Sequence, residues 1–345
     1  MKKPKIVMIA RHCCIRVQKI ALPLLDDGYD VHCIAHRIPA YGDHYRSVMI
    51  YQNLEQLYEA INIHKDADIF HVHNEPSWFV TAVKTVTDKP VILDAHDSML
   101  LRILPEDEEH VRISVDERNN FQLADAHVFV SSSMAEICRE EFGLNGQPYV
   151  ILPSYVPKRF YRVDAWKWLG GICYEGRIDL PHEIGAEEME FFEYCDYTDL
   201  AKELKQAGIP FHLYTPRKDE DIQGHYKDTA IWRGSYEFDK LIRKLGRHDW
   251  GLLGNLKEFP VWQHAMPNKL FEYLAAGIPI IALNAKLAGE WVEEQGFGID
   301  VSNVSSIKDL WTEHRRCRKN IVKHRMAWCM ERHIWRIQEL YERLS

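Results

Sequence analysis

Short apolar runs alternate with longer stretches of helical periodicity along both halves of the chain. In the first half this pattern predicts strands over residues 6–10, 31–35, 69–72, 91–93, 127–130 and 150–152, and helices over 15–25 and 132–142. In the second half it predicts strands over 169–174, 211–214, 230–233, 251–253, 279–283 and 299–301, and helices over 199–207, 238–245, 268–276 and 287–294. The alternation is typical of parallel β-α-β units, so we predict an α/β protein with a parallel sheet in each half.

Two prolines and a long C-terminal pattern suggest the domain boundaries. Pro153 and Pro157 can continue neither a helix nor a central strand, so we place the linker between the domains there. We predict a first domain over 1–155, a second domain over 156–320 and a terminal helix over 321–345, at the end of a helical pattern that begins near residue 307. The stretch 180–196 is rich in glutamate and aromatic residues and favours no particular element.

Composition narrows the class of protein. The chain has 345 residues, of which 46% are hydrophobic, and this is enough for two buried cores. Its net charge of −8 argues against a nucleic-acid partner, although basic residues cluster between 315 and 323. The eight cysteines form no Cys-x-x-Cys motif, which favours reduced thiols. No apolar run is long enough for a membrane span, so we expect a cytoplasmic protein and leave peripheral membrane contact open.

The segment 264–282 holds the strongest candidate for a ligand site. A short helix is predicted to begin near Asn268 and to stop at Gly277, and Pro279 then leads into a buried strand. The N–H groups at such a helix start favour an anion, and Asn268 and Lys269 stand there. Glu272 lies one turn further in, where its carboxylate can reach a neutral hydroxyl. A phosphate site beside a hydroxyl site suits a nucleotide, and in particular a nucleotide-sugar.

The same segment resembles the donor-site motif of glycosyltransferase family four, which has the GT-B fold. That motif has one Glu, seven further residues, a second Glu, a helix of small residues and then Gly-x-Pro with two hydrophobic residues. Glu272 matches the second Glu and Gly277 begins the matching tail, but His264 stands in place of the first Glu. The resemblance implies two Rossmann-like domains facing each other across a cleft, with a C-terminal helix that packs back on the first domain. The residues from Pro267 to Tyr273 resemble the same segment in a subset of this family found among bacterial surface-polysaccharide enzymes.

A second donor motif is predicted around Gly176 and Arg177. They follow the first strand of the second half, and ligands of open α/β sheets lie at the carboxyl ends of strands. The forked, permanently charged side chain of Arg177 suits a diphosphate, and the pair resembles the Gly-Arg donor motif of the family. The family often adds a Lys shortly after, which is absent here, so Lys269 is expected to supply that charge. A surface salt bridge is the alternative for Arg177.

Other candidates rest on their positions at strand ends. His96 follows the strand 91–93 and resembles a family histidine that faces the donor sugar, where it would bind a hydroxyl or the developing charge; a loop-capping role is the alternative. Trp232 and Asn255 fall where the family binds the base and ribose. Arg11 and Arg16 follow the first strand and are predicted to contact an anionic acceptor, with solvent exposure as the alternative.

The pair His71 and His73 raises the question of a metal. Residues two apart on a strand face the same side, so the two imidazoles could share an ion, but no third ligand is near in sequence. We therefore favour structural histidines, predict no metal and no cofactor, and place His73 with Asn74 on the acceptor side. The pattern of Asp66 and Asp68 precedes a strand and is read as a solvated turn.

Together these observations and the resemblance imply transfer of a sugar from a nucleotide-diphosphate sugar to a carbohydrate, lipid-linked or other hydroxyl acceptor, with retention and without a metal. Arg177, Lys269 and the helix start would hold the diphosphate, Glu272 the ribose hydroxyls, and His264 with His96 the donor sugar. The departing phosphate would deprotonate the acceptor. Two alternatives stay open: a sugar-nucleotide epimerase of the same fold, and a non-catalytic nucleotide-sugar-binding protein, which the His264 substitution and the missing Lys suggest.

Overall fold

The computed structural model describes residues 3–11, 14–74, 76–96, 98, 101, 108–161, 168–180, 195–216, 220–307 and 310–345. The chain forms two compact units, the first comprising Met1–Pro157 with Met330–Ser345 and the second Lys158–Cys329. The boundary falls two residues after the predicted one. The part of the C-terminal tail that belongs to the first unit begins at Met330 rather than at residue 321, so residues 321–329 belong to the second unit.

The first unit is built on a seven-stranded sheet in which every strand pair is parallel. Its strand order, β3-β2-β1-β4-β5-β6-β7, contains the doubly wound Rossmann order. The strands are β1 Lys5–Ala10, β2 Asp30–Ala35, β3 Val48–Ile50, β4 Ile69–His73, β5 Val91–Ala95, β6 Ala126–Phe129 and β7 Tyr149–Ile151. The sequence pattern missed β3, because a three-residue edge strand leaves too short an apolar run to recognise.

Helices flank this sheet: α1 Ile15–Asp26, α2 Leu54–Ile63, α3 Phe79–Val86, α4 Glu108–Leu123 and α5 Ser132–Phe142. The bounds of α5 follow from its caps. The Ser131 side chain accepts a hydrogen bond from the N–H of Met134, and Gly143 ends the helix in the left-handed region with a φ of 65°. The core of the unit gathers strand and helix residues, Phe70, Leu93 and Phe121 among them.

The second unit contains a six-stranded parallel sheet of order β10-β9-β8-β11-β12-β13, again the Rossmann arrangement. Its strands are β8 Ile172–Glu175, β9 Phe211–Tyr214, β10 Ile231–Trp232, β11 Trp250–Gly254, β12 Ile280–Leu283 and β13 Gly298–Val301. The predicted start of β8 at 169 is wrong. Gly170 and Gly171 have φ values of 71° and 70°, which no strand allows.

The helices of this unit are α6 Thr198–Gln206, α7 Glu220–Tyr226, α8 Phe238–Leu245, α9 Pro260–His264, α10 Asn268–Ala276, α11 Lys286–Glu294 and α12 Trp311–His324. Of the unassigned stretch 180–196, residues 181–194 lie outside the described part of the chain. Two Rossmann-like units, as predicted, are thus present in one chain.

The C-terminal tail is not one continuous helix. After α12 it passes through short 3-10 turns over Arg325–Trp328 and Met330–Arg332 before α13, Trp335–Leu344. The last helix is held within the first unit, where Tyr341 bonds to His71 Nδ1 at 2.8 Å and Gln338 donates to Asp27 at 2.7 Å. Over the residues that the structure describes, no helix has both the length and the apolar character to cross a lipid bilayer.

Candidate functional site

The helix α10 forms where the sequence placed it, from Asn268 to Ala276. Pro267, the residue at the N-cap position, is extended, and its side chain makes no capping hydrogen bond. Gly277 ends it with a φ of 79°, and residues 270–276 are all buried. An uncapped helix start joined to a buried body is a rigid support for an anion.

Tyr273 anchors this helix to the sheet. Its hydroxyl accepts a bond from the N–H of Glu175 at 3.3 Å and lies 3.1 Å from the carbonyl oxygen of Leu252. The ring fits only because Gly251 has no side chain, since a Cβ there would lie 2.3 Å from the ring. The contact joins α10 to the carboxyl end of β8 and to β11. No sequence pattern predicts this contact, because a tyrosine inside an apolar helix cannot be told apart from other core residues.

Lys269 lies beside Gly176, the residue that follows β8. Its Nζ is 5.0 Å from the ring centroid of Tyr174 and 5.2 Å from that of Trp262. A Cβ on Gly176 would approach the same Nζ to 3.5 Å, and the φ of Gly176 is 133°. The aromatic faces hold the ammonium group by cation–π attraction. Two predicted donor residues from distant parts of the sequence, Gly176 and Lys269, are therefore neighbours.

Arg177 follows Gly176 and makes the salt bridge that the sequence left as its alternative. Its Nε donates to Asp179 at 2.8 Å, while 55% of its side chain remains exposed. The Tyr174 hydroxyl donates to the Arg177 carbonyl at 2.9 Å and fixes this turn. Only the Arg177 side of this pair is open to solvent, since 11% of the Asp179 side chain is exposed. The exposed part of the guanidinium is where an anion could bind.

Glu272 and His264 differ in their surroundings. Glu272 lies one turn from Asn268 on the same face of α10, and its side chain is buried. His264 is the last residue of α9. Burial, and then the charge of Lys286, lower the pKa of His264 below its ordinary value. Its imidazole is thus neutral at pH 7 and is suited to hydrogen bonding rather than to charge pairing.

Trp232 and Asn255 differ in how close their strands lie to β8. Asn255 follows β11, the strand next to β8; it is buried, donates to the Asp196 carbonyl at 2.7 Å and accepts from the N–H of Leu256 at 2.8 Å. Trp232 ends β10 at the edge of the sheet, two strands from β8, or about 10 Å at the usual strand spacing. Asn255 is therefore the better placed of the two for a ligand held at Gly176.

A cavity of about 510 Å³ opens beside Asn255. Its lining includes the acidic residues Asp196, Asp199 and Glu203. Lys202 and Lys257 also line it, so its charges are mixed and sum to about −1. A diphosphate gains less from such a lining than from the cationic start of α10, which stays the candidate anion site.

In the first unit, Arg16 and Asp94 form a fully buried ion pair. Arg16 Nε and Nη2 donate to the two carboxylate oxygens at 2.7 and 3.0 Å, and the guanidinium also donates to Ser154 Oγ and the Leu152 carbonyl. Burial alone would raise the pKa of Asp94, but the charge of Arg16 beside it holds that pKa well below its usual range. Arg16 therefore supports the strand ends instead of reaching an acceptor, contrary to the expectation from sequence.

Several other predicted residues meet around Asp94. His96 Nδ1 lies 3.3 Å from Asp94 Oδ1, and the N–H of His96 donates to Asn74 Oδ1 at 3.1 Å. His73 and Asn74, predicted to face an acceptor, are buried in this network, with 1% and 4% of their surfaces exposed. Arg11 is exposed at the end of β1, and Asp97, beside His96, lies outside the described residues.

Asp94 also lies where a third ligand to the two histidines would be needed, which the sequence did not reveal. His71, His73 and Asp94 each offer one ligand atom, and these atoms lie within 4.8 Å of one another. The signal available in the sequence was the charge itself: an aspartate inside the apolar strand Val91–Ala95 must have a partner.

Two family models match separate parts of this chain. Residues 16–158 match the model of Glycosyltransferase Family 4, and residues 191–325 match that of the C-terminal domain of Glucosyltransferase 3-like proteins. A search of curated proteins by sequence finds no match.

Solved structures match over nearly the whole chain. Sucrose-phosphate synthase from Thermosynechococcus elongatus aligns with a TM-score of 0.73 at 15% identity, covering 99% of both chains. Anabaena HepE, solved with UDP and glucose, aligns with a TM-score of 0.69 at 13% identity over 99% of this chain and 100% of its own. A glycosyltransferase from Rickettsia africae gives 0.69 at 10% identity, over 100% and 99%. At these identities the likeness shows the fold.

The two Rossmann-like units have the GT-B fold of these solved glycosyltransferase structures. Both family models that match the chain describe glycosyltransferases, so the chain is a glycosyltransferase similar to family four over its first unit and to the Glucosyltransferase 3-like proteins over its second.

Proposed function

We propose that the protein transfers a sugar from a nucleotide-diphosphate sugar to an acceptor hydroxyl, with retention of the anomeric configuration and without a metal ion or cofactor at the leaving group. The observation that carries the proposal is the position of Lys269 against Gly176 at the uncapped start of α10. Because the solved structures of HepE contain UDP or UDP-glucose, uridine diphosphate sugars are the first donors to test.

The leaving group would be held by charge. Arg177 and Lys269 bring two cations to the carboxyl end of β8, and the N–H groups of α10 add the positive end of the helix dipole. These groups would stabilise the negative charge that develops on the diphosphate, which is the work a divalent metal does in other enzymes.

The ribose and the sugar of the donor would be recognised through hydrogen bonds. Glu272, one turn into α10, is proposed to accept from the ribose hydroxyls, with Asn255 as the next polar group along the sheet. His264, neutral at pH 7, is proposed to bond a hydroxyl of the transferred sugar. The departing phosphate would accept the proton of the acceptor hydroxyl.

The acceptor is proposed to be a carbohydrate or lipid-linked hydroxyl, in the synthesis of a surface polysaccharide or another glycoconjugate. A peripheral membrane contact is part of this proposal. It is supported by α12, which exposes Arg315, Lys319 and Lys323 beside the exposed Val322. Co-sedimentation with vesicles containing phosphatidylglycerol should exceed that with phosphatidylcholine alone, and equal sedimentation would remove the membrane from the proposal.

A donor screen tests the function. Thermal unfolding is measured with UDP, GDP and ADP and their sugars, because a ligand at 100 times its Kd stabilises the folded state by roughly 2.7 kcal/mol. The best donor is then incubated with an acceptor panel, and the anomeric configuration of the product is read by proton NMR. Inversion would disprove retention, and binding without turnover would favour the non-catalytic alternative. Epimerised donor in the absence of acceptor would identify an epimerase.

A further inference from the structure

Two histidines of β4 carry buried nitrogen atoms that make no hydrogen bond. Within the described chain, His71 Nε2, His73 Nδ1 and His73 Nε2 have no such partner, and the side chains are 0% and 1% exposed. Buried polar atoms are nearly always paired, so three such atoms in adjacent, stacked rings need a physical reason. They lie outside the donor site described above, in the other unit of the chain.

The nearest charged atom to these nitrogens is Asp94 Oδ2. It lies 3.7 Å from His71 Nε2 and 3.8 Å from His73 Nδ1. A carboxylate has about four lone-pair positions. Two of them on Oδ1 receive Arg16 Nε and His96 Nδ1, and one on Oδ2 receives Arg16 Nη2. Oδ2 therefore keeps one lone pair that can bind a group placed between it and the two histidines.

The separations distinguish an ion from a water molecule. Zinc–ligand bonds of about 2.0–2.2 Å place neighbouring ligand atoms roughly 3.3–3.7 Å apart for angles between tetrahedral and trigonal. The observed 3.7 and 3.8 Å lie at or just above the upper end of this range. All three ligand atoms lie within 4.8 Å of one another, so the two imidazole rings would have to move closer together to bind an ion. A water molecule bonded at about 2.8 Å both to Asp94 Oδ2 and to either histidine nitrogen would have an angle near 85° between its two hydrogen bonds. That angle is far from the geometry water prefers.

The state of His71 also suits a metal. Its Nδ1 lies 2.8 Å from the Tyr341 hydroxyl. When Nδ1 carries the proton and donates it to that oxygen, Nε2 is left unprotonated toward Asp94, which is the arrangement of metal-bound histidines.

We propose that His71, His73 and Asp94 form a structural binding site for one transition-metal ion, with Zn²⁺ as the best-suited probe. The charge of Arg16 opposes any cation, so the two imidazole nitrogens must supply most of the affinity. Imidazole favours zinc or copper over magnesium or calcium. The ion joins the carboxyl ends of β4 and β5 and, through Tyr341, the C-terminal helix α13. It therefore stabilises the first unit and takes no part in leaving-group departure.

Metal content and affinity test the site independently of sugar transfer. The full chain is stripped with a chelator and dialysed against Zn²⁺, and bound zinc is counted by mass spectrometry. The expected result is stoichiometric zinc and a higher melting temperature than the stripped protein. His73→Phe keeps a ring stacked on His71 but removes both nitrogens, so it should abolish the bound zinc. His212→Asn, a buried histidine of the second unit with an unpartnered Nε2, should leave it unchanged.

Two further measurements keep the proposal open to disproof if His73→Phe folds poorly. Tyr341→Phe keeps the three ligands and should weaken zinc binding roughly 10–100-fold, as loss of an outer-shell bond does. Co²⁺ in place of zinc should give visible bands without the intense near-ultraviolet band of thiolate ligation. Wild-type protein that retains no more zinc than His73→Phe, or a cobalt spectrum dominated by cysteine, would overturn the site. Neither outcome bears on the donor site.

Discussion

The ammonium nitrogen of Lys269 lies 3.5 Å from the point where a Cβ atom on Gly176 would stand. Glycine at 176 therefore leaves the space in which a cation from α10 reaches the carboxyl end of β8. The two residues are far apart in sequence, and their contact creates the cationic corner of the proposed donor site.

Gly176→Ala should weaken binding of a nucleotide diphosphate. The new Cβ would meet the Tyr174 hydroxyl at 3.2 Å and Lys269 Cε at 3.4 Å, and a φ of 133° strains any side chain. Isothermal calorimetry with UDP should show a reduced affinity. Gly208→Ala is the matched control, since Gly208 also has a positive φ but meets no described atom within 4 Å. Equal affinities in wild type and Gly176→Ala would contradict the proposed role of this corner.

Lys269→Met should reduce UDP affinity by about 1–3 kcal/mol, the range for a hydrogen bond to a charged group. Binding of uridine, which has no phosphate, should be unaffected. Lys202→Met, which removes an exposed pair with Asp199, controls for the loss of one positive charge. If uridine and UDP lose affinity equally, Lys269 supports the fold of the site and does not contact the diphosphate.

Arg177→Ala and Glu272→Ala should each weaken UDP binding by a similar amount, about 1–3 kcal/mol, for different reasons. Arg177→Ala removes a contact to the diphosphate, whereas Glu272→Ala removes one to the ribose. Comparing UDP with 2′-deoxy-UDP separates them, because only the Arg177 variant should still distinguish the two ligands. Unchanged calorimetric affinity in both variants would end the donor-site assignment.

Arg16→Met should destabilise the first unit strongly. It leaves the buried carboxylate of Asp94 without its principal partner, and breaking a buried pair typically costs about 3–5 kcal/mol. Arg316→Met, which breaks an exposed pair with Glu313, should change stability by about 0–1 kcal/mol. Urea unfolding followed by circular dichroism compares them. Similar midpoints for the two variants would show that the buried pair is not a main support of the fold.

His248 should make the protein less stable in mild acid. Burial lowers its pKa to about 4, and its ring is held between the Gly170 carbonyl and the Tyr214 hydroxyl. Between an unfolded pKa of about 6.5 and the folded value near 4, only the unfolded chain binds the proton. The free energy of unfolding therefore falls as pH decreases through this window and levels off below it.

Denaturant unfolding at a series of pH values from 7.5 to about 4 measures this slope. His248→Gln should flatten it. An unchanged slope in the variant would assign the acid sensitivity to other buried histidines, such as His127, whose pKa burial also lowers to about 4.

Local patterning was sufficient for most of the fold. The strands of both sheets are continuous apolar runs, and the stop of α10 at Gly277 follows from glycine's access to a positive φ. The errors have local causes: the short edge strand Val48–Ile50 carries little signal, and Gly170 with Gly171 delays β8. The long helical pattern of the tail concealed the break at Cys329, because its apolar spacing continues across the 3-10 turns.

The sequence by itself determined the two parallel sheets and the helix from Asn268, because periodicity and end signals act over a few residues. Only the tertiary structure decided which distant groups meet. Lys269 lies beside Gly176, and Arg16 forms a buried ion pair with Asp94. The same aspartate lies close to His71 and His73. These contacts depend on strand order and on burial, which together decide whether a charged side chain faces a partner or water. Neither strand order nor burial can be read from local spacing in the sequence.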